Sequence, residues 1–413
     1  MKLILVKNIG IKKRKSKKIK NEENSVPTKR NVNLFNKHTL ELQPSNYFEY
    51  PEETIYSDSS YDDIVERIIQ SEKGCLILGP AGAGKTFLIN KVIDKLNEKN
   101  LLRLAPTNVS ALFINGTTLD RFKNSFVNGS KSIQKKYGNL KYIFVDEISM
   151  VKEKFYRLLL TIKHARPDIK FIISGDFYQL PPVKDKISET NDIHLPVNYY
   201  RYKYEDSRCL FELVDGMKLE LTECKRSDDF VFNNSKQLKL GQEIDVTNYL
   251  QPVNLYKNVC FTNRKRQNVN RVCMERFIKE HKPRQVAEFK KLTYSKYTQD
   301  MKICAGMPIQ ARINNKKLNI FNNEMYSVVS VTDDIIKVKS DIIIEGEEKE
   351  IEIPRKQFNR LFVVAFCITI HKSQGASFTE PYVIHEWNIM DSCLKYVAYS
   401  RSSSNDFIHI SLY

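Results

Sequence analysis

The stretch Gly79-Pro80-Ala81-Gly82-Ala83-Gly84-Lys85-Thr86 decides the fold of this 413-residue chain. It has the spacing G-x-x-x-x-G-K-[ST], follows a short apolar run, Cys75-Leu76-Ile77-Leu78, and precedes a segment with helical periodicity up to about Lys99. Glycines let a backbone fold around a polyphosphate with its N–H groups turned inward. Lys85 can then reach the β- and γ-phosphates, and the Thr86 hydroxyl can coordinate Mg²⁺. The sequence therefore predicts a strand, a phosphate-binding loop and a helix whose positive dipole end adds to the same anion site.

The composition is that of a globular protein with a basic bias. Hydrophobic residues make up 41% of the chain, charged residues 28%, and the formal net charge is +17. Residues 1–30 contain eleven Lys or Arg and two Glu, so this tail alone carries +9 and the other 383 residues carry +8. Such a tail suits a nucleic-acid-binding arm or a nuclear-import signal, and equally a solvated, disordered segment.

Several features bear on the compartment. No apolar run approaches the roughly 20 residues that a membrane span needs. The start of the chain has no signal-peptide core or cleavage site. The eight cysteines form no C-x-x-C pair, so neither a zinc site nor a disulfide framework is indicated. We expect a protein of the nucleus or cytoplasm (or of a viral replication site, if the chain is viral), not secreted and without a membrane partner.

A second motif follows the loop by about 60 residues, Tyr142-Ile143-Phe144-Val145-Asp146-Glu147. Four largely apolar residues that end in two carboxylates predict a buried parallel strand with acids at its carboxyl end, where open α/β sheets bind ligands. Asp146 would hold Mg²⁺ through water, and Glu147 would orient and deprotonate an attacking water. Alone, Asp146 and Glu147 could equally mark a strand that ends at a polar turn. About 60 residues after a phosphate loop, they indicate nucleotide hydrolysis.

A third apolar run, Lys170–Ser174, leads into Gly175-Asp176-Phe177-Tyr178-Gln179-Leu180-Pro181-Pro182-Val183. A side-chain amide at such a strand end can contact both a γ-phosphate and its water, so Gln179 could report whether ATP is intact. Taken alone, this stretch is more typical of a turn stiffened by two prolines.

Several stretches together resemble the PIF-type, RecD-like branch of the superfamily 1 DNA helicases, over roughly residues 60–413. The stretches Gly175–Val183 and Thr369–Gly375 are the specific ones, since unrelated NTPases share the phosphate loop. The stretches that resemble motifs I, Ia, II, III, IV, V and VI are Gly79–Thr86, Ala105–Ala111, Val145–Glu147, Gly175–Val183, Leu221–Arg226, Thr369–Gly375 and Tyr396–Arg401.

The resemblance implies an α/β fold with two RecA-like P-loop NTPase domains, each a parallel sheet flanked by helices. We place a basic, disordered tail at residues 1–45, the first domain at 46–215 and the second at 216–413. Short alternating apolar runs indicate a small β-barrel inserted at about 303–356, where the family carries an SH3-like insert.

The resemblance also implies roles for individual residues. ATP and Mg²⁺ would bind between the domains, with Gly375 near the nucleotide and with Arg226 and Arg401 reaching the γ-phosphate as arginine fingers. Without the resemblance, either arginine could be a surface ion-pair partner. The residues that would contact nucleic acid are Pro106, Thr107, Asn108, Thr262, Asn263, His371, Lys372 and Ser373.

One departure affects nucleotide choice. The family has a glutamine that contacts adenine about 17 residues before the loop, whereas this chain has Tyr61-Asp62-Asp63 there, so preference for ATP is open. The leading hypothesis is a monomeric ATP-dependent helicase that acts on single-stranded DNA, duplexes and forks in replication, recombination or repair. The resemblance implies 5′→3′ movement. An ATP-gated clamp that does not unwind, and an RNA helicase of the same superfamily, are the alternatives.

Overall fold

The computed structural model describes residues 52–56, 60–96, 99–128, 138–182, 204–205, 207–250, 253–342 and 348–413. The predicted basic tail at residues 1–45 lies outside these ranges, as does Val183 at the end of the third motif. The fold is therefore given for the part of the chain that carries the other motifs.

A seven-stranded parallel sheet contains the phosphate loop at one strand end. Its central strands are continuous buried runs, as expected for a sheet covered by helices on both faces. The predicted strands at Cys75–Leu78, Tyr142–Val145 and Lys170–Gly175 are confirmed. In spatial order the strands are Glu52–Tyr56, Met217–Leu221, Cys75–Leu78, Lys170–Gly175, Tyr142–Val145, Leu101–Ala105 and Thr117–Thr118.

Two outer strands of this sheet correct the predicted organisation. Met217–Leu221 pairs in parallel with Cys75–Leu78, so the first domain extends past residue 215 and the chain leaves it after Leu221. Its alternating pattern, with Met217, Leu219 and Leu221 buried, fits either domain when only the sequence is known. Glu52–Tyr56, where the sequence predicted no strand, is the edge strand beside it.

Helices cover both faces of this sheet. The predicted helices before and after the phosphate loop are Tyr61–Gln70 and Lys85–Leu96. Ser60 caps the first of them by accepting a hydrogen bond from the Asp63 N–H, and two acids in its first turn favour the dipole. The other helices of this domain are Asn108–Phe113, Leu119–Asn128, Glu153–Ala165 and Arg208–Leu213.

A second, four-stranded parallel sheet forms the other α/β domain. Its strands are Cys367–Thr369, Asn258–Cys260, Tyr382–His385 and Ile408–Ser411, in that spatial order. The helices around it are Asp229–Lys239, Asn263–His281, Ile370–Ser373 and Ser392–Tyr399. Both domains are therefore parallel sheets flanked by helices, as predicted for RecA-like domains.

An antiparallel, five-stranded sheet interrupts the second domain. The strand pairing runs from Glu350–Pro354 at one edge to Phe362–Val364 at the other, so the sheet includes residues beyond the predicted limit of 356. Its closure into an SH3-like barrel stays a prediction. A two-stranded hairpin, Ala287–Phe289 with Met301–Ile303, precedes it. The five-stranded sheet and the helix before its last strand consist of Pro308–Ala311, Met325–Val331, Ile335–Ser340, Glu350–Pro354, Arg355–Leu361 and Phe362–Val364.

The remaining regular elements are short 3₁₀ turns at Ile148–Met150, Thr247–Tyr249, Trp387–Ile389 and Asn405–Phe407. None of the described helices is both long and apolar enough to cross a bilayer.

The assignment of Met217–Leu221 to the first sheet predicts a stability effect. Leu219 is fully buried in the core on the face of the phosphate-loop helix. Leu219→Ala should lower the free energy of unfolding by about 2–5 kcal/mol, because the truncation leaves a cavity. Urea unfolding followed by circular dichroism measures this. Leu240→Ala, at a leucine 66% exposed, is the matched control and should change it by less than about 0.5 kcal/mol. Equal effects would contradict the burial of Leu219.

Candidate active site

The phosphate loop needs glycine at two of its positions. Gly82 and Gly84 have φ of 84° and 76°, in the left-handed region that side chains rarely adopt. A Cβ at Gly84 would also lie 2.2 Å from the Tyr61 hydroxyl, and one at Gly82 would lie 2.7 Å from Cys224 Sγ. The Tyr61 hydroxyl donates to the Ala83 carbonyl at 2.8 Å. The loop is thus shaped by its own glycines and by neighbours packed against it.

Lys85 begins the helix and is held against the loop. Its Nζ donates to the carbonyls of Gly79 and Pro80, at 2.9 Å in both cases. Only 8% of the residue is exposed, and this burial lowers the pKa of its amine. The charges of Asp176, Glu147 and Asp146 act in the opposite direction. The amine is a cation that three carboxylates surround at the strand ends.

Asp146 is fixed through both of its carboxylate oxygens. Oδ2 accepts from the Thr86 hydroxyl at 2.7 Å. Oδ1 accepts from the Glu147 N–H at 2.9 Å and from the Ser174 hydroxyl. Mg²⁺ in nucleotide sites takes one or two protein oxygens and completes its octahedron with water and phosphate oxygens. The Thr86 hydroxyl and the adjacent Asp146 carboxylate fit that requirement.

Glu147 is the unusual carboxylate of the site. Its backbone is left-handed, with φ 54°, and its buried Oε2 has no hydrogen-bond partner among the described residues. Burial, followed by the charge of Asp146, raises the pKa of its carboxyl to about 7, although Lys85 and Arg401 act against the rise. An unpartnered carboxylate with a pKa near neutrality suits a general base, because it can both accept a proton and release it.

The second domain contributes two arginines to the same place. Arg401 is 1% exposed, and its guanidinium donates to the carbonyls of Val397 and Ala376, at 2.9 and 3.3 Å. Burial, with the charge of Arg226 beside it, lowers the pKa of Arg401 to about 10. Arg226 donates to the Ser400 carbonyl at 3.2 Å. The two guanidiniums therefore lie close together, and both residues line the same cleft as Lys85.

A hydrogen-bond network that includes the Asp176 carboxylate joins the two domains around Gln179. The Gln179 amide donates to Asp176 Oδ2 at 3.2 Å and accepts from the Gln374 amide at 3.3 Å. Tyr396 donates its hydroxyl proton to Asp176 Oδ2 at 2.7 Å and accepts the Ala81 N–H at 2.8 Å. The sequence analysis did not assign a role to Tyr396, although a buried tyrosine hydroxyl needs a partner and indicates such a contact.

A cleft of about 340 Å³ brings most of the predicted residues together. Eleven of them line it, with five residues that the sequence reasoning missed, Phe87, Ser110, Phe113, Lys225 and Ser377. These five stand in or beside the motifs but carry no residue type that marks them individually. The complete lining is Ala81, Gly82, Gly84, Lys85, Thr86, Phe87, Ser110, Phe113, Asp146, Glu147, Gln179, Lys225, Arg226, Gly375, Ser377 and Arg401.

The residues predicted to contact nucleic acid lie at the carboxyl ends of parallel strands in both sheets. Pro106, Thr107 and Asn108 follow Leu101–Ala105, and Thr107 caps the next helix through the Ser110 N–H. Thr262 and Asn263 follow Asn258–Cys260, and His371 and Lys372 follow Cys367–Thr369.

Several of these side chains are already engaged within the protein, among them Thr262 and Ser373. Thr262 donates its hydroxyl proton to Glu386 Oε1 at 2.7 Å. Ser373 is fully buried and donates to the Ile370 carbonyl at 2.9 Å, so its side chain does not face a surface, contrary to the prediction. A serine in a four-residue helix finds its nearest acceptor three residues back in its own turn.

Comparison with known proteins agrees with this arrangement. The PIF1-like helicase family model matches residues 56–245, which include the phosphate loop, both carboxylates, Gln179 and Arg226. This part of the chain therefore resembles the PIF1-like helicases.

Relatives and solved structures extend the match over the second domain. The chain is 26% identical to the ATP-dependent DNA helicase Pif1 of Campylobacter jejuni, over 84% of the chain and 90% of the relative. It is 28% identical to the Xenopus laevis ATP-dependent DNA helicase PIF1, over 45% of the chain and 31% of that longer protein. The structure of a Bacteroides Pif1 helicase in complex with ADP-AlF3 and single-stranded DNA has the same fold, with a TM-score of 0.57 and 20% identity, over 85% of the chain and 92% of that protein.

The raised pKa of Glu147 predicts a pH-dependent stability. Its ordinary value of 4.5 applies to the unfolded chain and about 7 to the folded one, so the folded state loses stability as the pH rises from 4.5 to 7. Glu147→Gln removes that loss. The variant should therefore gain little free energy of unfolding over the parent at pH 4.5 and up to about 3 kcal/mol at pH 8. Urea unfolding at both pH values measures this gain.

Glu72→Gln, at an exposed carboxylate, is the control and should show no such pH-dependent gain. A gain for Glu147→Gln that is the same at pH 4.5 and pH 8 would contradict the buried, unpartnered carboxylate.

Proposed function

We propose that this chain is a PIF1-like helicase that hydrolyses ATP in the cleft between its two sheets and uses the energy to move along single-stranded DNA and separate duplex DNA. The observation that supports hydrolysis most strongly is Glu147, a half-buried residue whose buried Oε2 has no hydrogen-bond partner among the described residues. It lies between Lys85 of the first domain and Arg401 of the second. A nucleotide-binding module without hydrolysis would not need such a costly buried group.

The residues of the cleft suit the individual tasks of phosphoryl transfer to water. Glu147 accepts the proton of the attacking water, and its pKa near 7 lets it do so at neutral pH. Lys85 binds the β- and γ-phosphates, while Arg226 and Arg401 offset the negative charge that grows in the transition state. The Thr86 hydroxyl and Asp146 hold Mg²⁺, which neutralises phosphate charge when bound.

The arrangement also supports coupling between hydrolysis and movement. The arginines and the base come from different domains, so the complete set requires the two domains to be together. Gln179 contacts Gln374, which lies beside His371 and Lys372 at the predicted DNA surface. A change at the phosphate end can therefore reach the DNA-facing segment through one amide pair.

DNA as the partner rests on the family and on charge. Relatives in the family are ATP-dependent DNA helicases by name. The residues after the basic tail still carry +8, which suits a polyphosphate backbone. We propose 5′→3′ movement on the strength of the family resemblance. We also propose a monomer as the working unit, since one chain supplies the whole cleft.

The assignment of Lys85 to phosphate binding predicts that its removal impairs ATP hydrolysis but not DNA binding. Lys85→Ala should reduce single-strand-stimulated ATP hydrolysis at least about 100-fold, because the phosphates lose their main cation. Binding of a fluorescent oligonucleotide should persist. Lys91→Ala, on the exposed side of the same helix and paired with Asp62 at 2.8 Å, is the control. Its hydrolysis should stay within about twofold of the parent. Parental hydrolysis by Lys85→Ala would refute the site.

An unwinding assay tests the whole proposal. Partial duplexes with 5′ or 3′ single-stranded tails, in DNA and in RNA, are incubated with and without ATP, and strand separation is followed by gel electrophoresis. We expect ATP-dependent separation of the 5′-tailed DNA only. Hydrolysis without separation of any duplex would favour the ATP-gated clamp. Separation of RNA alone would favour the RNA helicase, and separation of 3′-tailed DNA would reverse the polarity.

A further inference from the structure

An ordered, exposed loop projects from the second domain between the hairpin strands Ala287–Phe289 and Met301–Ile303. We call residues 290–300 the hairpin loop. The helix Asn263–His281 holds its backbone: Arg266 donates to the Tyr297 carbonyl at 2.8 Å, and the Gln267 amide donates to the carbonyls of Lys296 and Thr298, both at 3.1 Å. Loops held by side chains in this way present their own side chains in a fixed place.

The hairpin loop exposes two aromatic rings among cations. Tyr294 is 73% and Tyr297 53% exposed, and neither hydroxyl has a hydrogen-bond partner among the described residues. Lys296 Nζ lies 5.5 Å from the centroid of the Tyr297 ring. Lys291 and Lys296 form no ion pair within the described chain, whereas Lys290 pairs with Asp300 at 3.4 Å. Exposed rings with unpaired cations beside them are the combination that binds single-stranded nucleic acids.

Three cations meet beneath this loop, and we call Arg266, Arg312 and Lys372 the cation cluster. Arg312 donates to the Ser295 hydroxyl at 3.1 Å, and Lys372 donates to Gln310 Oε1 at 2.7 Å. Burial, followed by the charges of the two arginines, lowers the pKa of Lys372 to about 8. No carboxylate of the described residues lies within ion-pair distance of any of the three. Like charges brought together in a partly buried place are unfavourable unless an anion joins them.

The cation cluster also connects segments that the sequence assigned to DNA separately. Arg266 Nε donates to Asn263 Oδ1 at 3.2 Å, at the end of the strand Asn258–Cys260. Lys372 stands at the end of the neighbouring strand Cys367–Thr369, which pairs with it in parallel. A phosphate bound to the cluster would therefore lie between two strand ends of the second sheet, directly below the hairpin loop.

We propose that the hairpin loop and the cation cluster form one binding site for single-stranded DNA. The cluster binds a backbone phosphate, and the rings of Tyr294 and Tyr297 stack on the bases next to it. This inference rests on the proposed function and deepens it, since it assigns the second-domain contacts of the DNA track to named side chains. It predicts binding without base preference, because stacking and phosphate contacts read no sequence.

Stacking is tested with fluorescence anisotropy of a labelled oligothymidine. Tyr294→Ala and Tyr297→Ala should each weaken binding about tenfold, whereas Tyr294→Phe should bind within about twofold of the parent, since the ring remains. Phe230→Ala, at an aromatic residue 62% exposed elsewhere, is the matched control and should bind as the parent does. On an oligonucleotide with abasic sites in place of the bases, Tyr294→Ala should lose its effect.

Phosphate binding is tested by the salt dependence of the same affinity. Arg312→Gln should reduce the slope of log K against log salt concentration by about 0.7, the value for one phosphate contact on a single strand. This reduction should persist on the abasic oligonucleotide. Arg271→Gln is the control, because Arg271 lies on the same helix as Arg266 but is paired with Glu275 at 3.2 Å. Its slope should equal that of the parent.

The outcomes separate this inference from the proposed function. A parent protein that binds no oligonucleotide would refute the function itself. A parent that binds, with unchanged affinity in both alanine variants and an unchanged slope in Arg312→Gln, would refute the inference alone. Thermal unfolding of each variant at the parental midpoint shows that a loss comes from the surface and not from the fold, and Tyr294→Phe separates the ring from the hydroxyl.

Discussion

The balance of charge in the cleft is the constraint on which both domains depend. The first domain gathers Asp146, Glu147 and Asp176 around a single buried amine, Lys85. Taken alone, this group has an excess of negative charge in a place with little water, and such an excess is costly. Arg226 and Arg401 of the second domain supply the missing positive charge. Burial lowers the pKa of both arginines, and the nearby charge of Glu147 acts against that fall.

Hydrogen bonds give this electrostatic contact its geometry. Charges attract over several ångströms and tolerate many arrangements, whereas a hydroxyl must be placed within hydrogen-bond distance of its partners. Tyr396 meets that condition twice, through Asp176 of the third motif and the Ala81 N–H of the phosphate loop. Gln374 does the same for Gln179. The second domain is thus positioned on the loop and the strand end at once, so a shift in either changes the position of both arginines.

The sequence motifs predicted the structure best where one residue type has only one plausible role at a given spacing. The phosphate loop, the strand that ends in Asp146 and Glu147, and the helices around them could be predicted, because their backbone positions follow from glycine conformation and buried apolar runs. The strand Met217–Leu221 was wrongly placed, since an alternating pattern shows that a strand has a buried face but not which sheet it joins. Glu52–Tyr56 is an edge strand whose pairing comes from a segment about 160 residues later.

Residues that act through contacts between distant segments could not be identified from the sequence. In the sequence, Tyr396 looks like one more apolar position of a helix. Only the fold shows that its hydroxyl contacts Asp176. Arg266, Arg312 and Lys372 come from a helix, the end of a strand of the inserted sheet and a strand end of the second sheet. Only the fold shows that they lie near one another, with no ion-pair partner among the described residues. The prediction for Ser373 was wrong for a different reason. Its motif suggested a side chain that faces DNA, but its hydroxyl donates to the Ile370 carbonyl in its own helical turn.

The region where the family has an adenine-contacting glutamine has a different role in this chain. Tyr61 stands in that neighbourhood, and its hydroxyl donates to the Ala83 carbonyl inside the phosphate loop. That hydroxyl fills the space beside Gly84 and excludes any side chain there. Its ring meets the exposed ring of Phe87 edge to face at 5.4 Å. A group that is committed to the loop in this way cannot also offer its proton to a base. Tyr61 therefore stabilises the conformation of the loop, and its ring also packs against Phe87.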